Sequence, residues 1–341
     1  MDSTDSESRG RLVCFGEVLA RFSTPDHLPL ADAPVLNLHF AGAEANVAVQ
    51  FAALGGEAVL ITRVPDNRLA DSLLEKLRAR GVRTDGVLRG GGRLGLYFLE
   101  PGFGPRASVI TYDRANSSMA TIARGMIDWE ETLKGAAWFH WSGITPALGP
   151  ETPDVCAEAL VAARKLGLKV SCDLNYRSAL WTTEAASRVM RPLVKDLDLC
   201  ICGASEARSI LGAPDAGGGD GGLALLADWL RDHYGIRSLA TPIRTGETAQ
   251  GGTLRGMYWD GETFAFSRTH ELSVVDRIGA GDSFAGALLY ALVTRKSAQQ
   301  AVEIATAAAA WKHTIPGDWF RGSLADVEAL AGGAGGAVVK R

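Results

Sequence analysis

Along most of this chain, short apolar runs alternate with helical segments of about a dozen residues, and glycines close many of the segments. RLVCFG (11–16) reads as a short buried strand. ANVAVQFAALG (45–55) places Val47, Phe51 and Leu54 on one helical face and stops at Gly55 and Gly56. The cycle continues with EAVLITRV (57–64) as strand and DSLLEKLRARG (71–81) as helix. AAWFHWSGI (136–144), LKVSCDLN (168–175), DLCICG (198–203) and IRSLATPI (236–243) are further strands. ETPDVCAEALVAARKLG (151–167) and LALLADWLRDHYG (223–235) are helices. This alternation predicts an α/β fold, with a central, mostly parallel sheet covered by helices on both faces.

Two segments break the rhythm. Residues 17–41 and 90–115 hold strand-like pieces with proline and glycine turns and no helical pattern. They predict a small β-sheet standing over the C-terminal edge of the main sheet as a lid. APDAGGGDGG (213–222) reads as a flexible surface loop. Residues 1–10 and 331–341 read as loose tails around a single domain spanning 11–330.

Composition excludes several roles. The net charge of −4 comes with no basic block, so nucleic acid is not an expected partner. No apolar run approaches the roughly 20 residues of a membrane helix, which together with the polar N-terminus predicts a cytoplasmic protein. Five cysteines without a CxxC pattern read as reduced core thiols rather than disulfides or zinc ligands.

The chemistry concentrates in VVDRIGAGDSFAGALLYALV (274–293). A glycine turn, Gly279-Ala280-Gly281-Asp282, precedes an apolar helix with Phe284, Leu288 and Leu292 on one face. A helix start after a glycine turn offers unpaired N–H groups and the positive end of the helix dipole to an anion. A carboxylate there repels phosphate, unless it accepts the proton of a hydroxyl that attacks the phosphate. The simpler alternative is an ordinary helix start with Asp282 as its cap. No GxxxxGK[ST] occurs, which disfavours a Walker-type NTPase.

VVDRIGAGDSFAGALL resembles the C-terminal signature of the PfkB, or ribokinase-like, carbohydrate kinases, and AGAEANVAVQFAALG (41–55) resembles their N-terminal signature. GAEANVA (42–48), TYDRANSS (111–118), WSGITPAL (141–148), CDLNYRSALW (172–181) and KHTIPGDW (312–319) resemble the branch that phosphorylates 2-keto-3-deoxygluconate. The resemblance covers about residues 11–330. It implies a three-layer α/β/α sandwich with a lid, ATP and Mg²⁺ as cofactors, and a small sugar acid as substrate; the open face of a lid sheet predicts a homo-oligomer, a dimer or larger. The resemblance implies Asp282 as general base, with Gly279, Ala280 and Gly281 as anion hole. The sugar would rest on Gly42, Glu44 and Asn46, with Tyr97 and Tyr112 reaching down from the lid. Arg114 and Arg177 would meet its carboxylate, which suits guanidinium geometry; a neutral sugar would leave such arginines unpaired.

On the nucleotide side the resemblance implies Arg244 and Gly246 along the phosphates, and Ala308 and His313 near adenine. Together with Gly317 and Asp318, these two fall where the adenine pocket and a monovalent-cation (K⁺) loop would be. Asp173 and Asn175 would organise phosphates or Arg177. Glu206 would act on magnesium indirectly, although GASE (203–206) puts Gly203 where the family's NxxE has asparagine. Thr245 and Gly246 also depart from that branch. The alternatives are a structural salt bridge for Arg177, lid packing for the tyrosines and a helix cap for Asn46. His140 reads as a core histidine. At the level of function the alternatives are a fructokinase, a ribokinase, a 2-keto-3-deoxygalactonate kinase, or a sugar or nucleotide sensor without turnover.

Overall fold

The computed structural model describes residues 10–246 and 248–333. The expected tails fall almost wholly outside these residues. Seven parallel strands run in the order Leu239–Thr245, Leu199–Ile201, Lys169–Asp173, Ala136–Ser142, Arg11–Phe15, Ala58–Ile61 and Val82–Arg83. The period of two sorts each strand between two cores. Leu12, Cys14 and Leu60 point to one face, and Val13, Phe15, Val59 and Ile61 to the other. The first face is covered by helices Ala43–Ala53, Arg68–Ala79, Ala280–Val293, Ala298–Lys312 and Leu324–Ala331. The second is covered by Trp129–Leu133, Thr152–Lys165, Thr183–Leu193 and Gly219–Tyr234. This is the three-layer ribokinase-like sandwich that was expected.

A four-stranded sheet, in the order Asn37–Ala41, Leu19–Ser23, Gly95–Glu100 and Val109–Asp113, stands apart as the lid. Its strands come from the two expected segments, with one unexpected 3₁₀ turn at Leu30–Asp32. Leu19, Ala41, Tyr97 and Leu99 form its apolar inner face, together with Ile110, Tyr112 and Ile278.

Some expectations need correction. Gly251–Trp259, Phe264–Phe266 and His270–Ser273 add an antiparallel edge to the parallel sheet. The run 57–64 splits into Ala58–Ile61 and Arg63–Val64, and the second piece leaves the main sheet to pair with Leu88–Arg89. The glycine-rich stretch 213–222 is not all loop, because the helix begins at Gly219. Gly222 packs so close to the Gly217 carbonyl that a Cβ would lie 2.5 Å from its oxygen, and Asp220 pairs with Arg255 at 3.2 Å.

All five cysteines are free and buried, and His140 is a buried core histidine whose Nδ1 meets Ser171 Oγ at 2.8 Å. Among the described residues no helix is long and apolar enough to cross a membrane.

Candidate active site

Two helices bring the central pair together. Ala43–Ala53 and Ala280–Val293 pack closely because Gly286 has no side chain; a Cβ there would sit 2.7 Å from the Val47 carbonyl oxygen. That contact sets Asn46, in the first turn of one helix, against Asp282, in the first turn of the other. Asn46 Nδ2 donates to Asp282 Oδ2 at 2.6 Å. The side chain of Asn46 therefore works across the site and does not cap its own helix. Burial raises the Asp282 carboxyl to about 6, against the opposing pull of the Asn46 hydrogen bond and the Arg177 charge. A carboxylate with that pKa is ionised at neutral pH and basic enough to take a hydroxyl proton.

Around the pair lies a cavity of about 420 Å³, lined from the main sheet below and the lid above. Gly279 caps the second helix in the left-handed region, with φ 82°. Its Cα abuts the Asp318 carbonyl so closely that a Cβ would reach within 2.1 Å of the oxygen. Nothing stands within 4 Å of where a Gly281 Cβ would be, so that face of the turn is open. Gly279, Gly281 and Asp282 line the cavity; Ala280 is buried behind them. Gly42 lines the opposite wall with φ 143°, where a side chain would strike the Glu17 carbonyl.

Glu44 also lines the cavity, but it is nearly fully buried and bonds back into the protein. Its Oε1 accepts from Ser142 N–H (3.0 Å), Ser142 Oγ (2.7 Å) and Thr145 Oγ1 (3.0 Å). Burial raises its carboxyl to about 7, despite these donors.

The lid contributes Tyr97, Tyr112 and Arg114 to the cavity wall. Tyr97 is buried and donates to Asp318 Oδ2 at 2.6 Å, and its ring centroid lies 5.8 Å from that of Tyr112. Arg114 corrects part of the sequence argument. It is not a guanidinium waiting for an acid, because Glu17 Oε2 already accepts from its Nε at 2.8 Å and from a terminal nitrogen. Ser117 Oγ donates to the other Glu17 oxygen, and Tyr112 lies against the guanidinium, 5.3 Å from the ring centroid. A neutral ligand would not leave Arg114 unpaired.

Arg177 is different. It is exposed at the cavity rim, and among the described residues its side chain forms no ion pair or hydrogen bond. The loop that carries it is shaped by the two carboxylates ahead of and beneath it. Asp173 Oδ1 accepts from Asn175 N–H at 3.1 Å, which turns the chain through Asn175 at φ 40°. Glu206 Oε1 accepts from Tyr176 N–H at 3.0 Å, and its Oε2 accepts from Gly203 N–H at 3.2 Å. Gly203 therefore costs the site no contact that Glu206 makes here. Burial, with the negative charges of Glu206 and Asp282 nearby, holds the Asp173 carboxyl well above its usual range. Such crowding favours a cation among these groups.

The nucleotide expectations divide. Arg244 lines the cavity, while Gly246, at the exposed end of its strand, does not. Ala308 and His313 are buried in and just past the helix Ala298–Lys312 and do not reach the cavity wall. His313 Nδ1 meets the Ala309 carbonyl at 2.7 Å, and burial lowers its pKa to about 4, so it is neutral. No cluster of three metal-ligating side chains occurs among the described residues.

Sequence reasoning missed Glu17, Arg277 and the buried ion cluster of Arg21 with Asp276 (2.6 Å) and Asp318 (2.8 Å). Arg277 lies inside the glycine-turn segment and could have been picked out from its position there. The Arg21 cluster joins residues 255 and 297 positions apart and leaves no local signal.

Residues 9–318 match the pfkB family of carbohydrate kinases. A 2-dehydro-3-deoxygluconokinase structure from Thermotoga maritima superposes with a TM-score of 0.92 at 40% identity, over 95% of this chain and 99% of that one. A 2-dehydro-3-deoxygalactonokinase from Haloferax volcanii is 32% identical over 90% of this chain and 92% of its own. A Bacillus subtilis 2-dehydro-3-deoxygluconokinase is 27% identical over 90% of each. The chain belongs to the pfkB family of carbohydrate kinases and is a sugar kinase, a phosphotransferase with an alcohol group as acceptor.

Proposed function

We propose that this kinase transfers the γ-phosphoryl of ATP to the primary hydroxyl of 2-keto-3-deoxygluconate, giving the 6-phosphate. The observation that carries the chemistry is the Asn46–Asp282 pair at the open glycine turn. Asp282 accepts the hydroxyl proton as oxygen attacks phosphorus, and Asn46 fixes which carboxylate oxygen points away from the substrate. The N–H groups of Gly281 and Asp282 in the 279–282 turn face the charge that develops on the phosphoryl oxygens, while that of Ala280 donates to the Arg277 carbonyl at 3.3 Å. The lid keeps water from competing with the sugar hydroxyl.

Arg177 carries the acid preference, because it stands exposed at the cavity rim and, among the described residues, no carboxylate forms an ion pair with it. Arg114, held by Glu17, offers its remaining N–H groups from the lid. Arg244 meets the ATP phosphates. The crowded Asp173 and Glu206 would hold, indirectly, the magnesium that accompanies ATP, which would supply charge neutralisation at the phosphates. The galacto epimer is the second reading, supported by the Haloferax relative.

The protein works in the cytoplasm as a homo-oligomer. The outer lid face supports the oligomer, with Leu38, Phe22 and Phe98 paired side by side across three strands.

Asp282→Asn tests the chemistry. The expected outcome is a kcat loss of about 10³-fold or more with ATP binding retained. Turnover near that of the wild type would refute the assignment.

A further inference from the structure

Lys312 is among the largest fully buried side chains of the protein, yet among the described residues it forms no ion pair with a carboxylate. A buried ammonium is costly unless its donors are used. Here Nζ donates to two backbone carbonyls, Asp276 at 3.3 Å and Ile315 at 3.1 Å. These carbonyls belong to different segments. One leads into the glycine turn, and the other leads to Gly317 and Asp318.

The two segments are joined at several points. Val275 and Asp276 N–H donate to the His313 carbonyl at 2.8 and 3.1 Å. Gly317 N–H donates to Asp276 Oδ2 at 2.9 Å, and Ile278 N–H to Asp276 Oδ1 at 3.1 Å. Gly279 then rests directly on the Asp318 carbonyl. A shift of the 315–318 loop therefore moves the turn itself.

A K⁺ loop through Gly317 and Asp318, within the region where one was implied, does not fit these contacts. Arg21 and Tyr97 take the two Asp318 carboxylate oxygens. Arg21, Gly317 and Ile278 take those of Asp276. The Asp276 and Ile315 carbonyls face an ammonium that the chain itself supplies.

We propose that Lys312 is a positioning residue whose ammonium bridges the two segments and fixes the 276–282 turn in its reacting shape, so that turnover needs no added monovalent cation. The idea rests on the reading of the 279–282 turn as the anion hole. Lys312 touches no reacting atom; it acts through Asp276 and Gly279, and its charge also bears on the Asp282 carboxylate.

The test begins with wild-type kcat in tetramethylammonium buffer. Replacing that ion with K⁺ should change kcat by less than about twofold. Lys312→Met should lower kcat by about 100-fold with little change in the KM for ATP, and ammonium or K⁺ should restore about tenfold of it in the variant alone.

Stimulation of the wild type by K⁺ of about tenfold or more would overturn the proposal. So would wild-type kcat in Lys312→Met, or a lowered kcat that no cation restores and that tracks a lowered melting temperature, the mark of a merely structural lysine. If Lys312→Met does not fold, the wild-type comparison decides alone. Turnover surviving in Asp282→Asn would instead fault the anion-hole reading, so the two failures are separable.

Discussion

On the proposed function the cavity has a sugar end and a nucleotide end, and the two are built differently. At the sugar end, almost every polar group is held by a partner far away in sequence. Asn46 and Asp282 are 236 positions apart, Tyr97 and Asp318 are 221, and Arg114 and Glu17 are 97. At the nucleotide end, Arg244 lines the cavity from the exposed end of its strand, and Gly246 lies beyond the wall. The difference suits the chemistry. A hydroxyl must be aimed at phosphorus within a few tenths of an ångström, so the groups that aim it are locked. A triphosphate carries its own charge and is steered by cations that need less exact placement.

Several substitutions sharpen that contrast. Asn46→Ala unlocks the aiming group and should cost about 100-fold in kcat. It should also move the acid limb of the pH profile upward. In the wild type, activity should fall as pH drops through about 6, where Asp282 takes up a proton. Asn46 lowers that value, so its loss raises the midpoint; a limb that stayed in place would mean that the hydrogen bond does not tune the base.

Arg177→Ala should raise the KM for a keto-deoxy acid by about 10- to 100-fold, the range for a charge-assisted hydrogen bond, and leave kcat nearly unchanged. Equal effects on an acid and on a neutral sugar would show that Arg177 is structural.

Glu44→Gln should have the smallest effect on turnover and a visible one on stability. The folded pKa, about 7, lies above the usual carboxylate value of 4.5, so the native protein binds more protons in that window. Stability from this group is full below the unfolded value and is lost as pH rises toward 7. Denaturant melts should show Glu44→Gln gaining roughly 1–3 kcal/mol over wild type at pH 8 and losing that advantage near pH 5. A pH-independent difference would place the ionised form comfortably in the core.

How much of this was legible in the sequence follows the same division. The sandwich was readable because period-two strands and glycine-stopped helices are local patterns, and the Leu12/Val13 alternation shows up directly as two cores. The lid segments were readable because they lacked helical spacing. The antiparallel edge at 251–273 was not, since glycine and polar residues dilute its alternation. Asp282 could be found because its turn carries a local reason for a carboxylate. The partner of Arg114 could not, because nothing in TYDRANSS announces that Glu17 will be folded against it. Ala308 and His313 were drawn from likeness alone, and the packing of the helix Ala298–Lys312 buries them.

The central claim is that the cavity selects a keto-deoxy sugar acid. Its most direct test is ADP release by the wild-type enzyme with ATP and magnesium, run on 2-keto-3-deoxygluconate, its galacto epimer, gluconate, fructose and ribose. A kcat/KM for the keto-deoxy acids about 100-fold or more above those for the neutral sugars is the predicted result. A preference for fructose or ribose would contradict it and leave Arg177 without a substrate role.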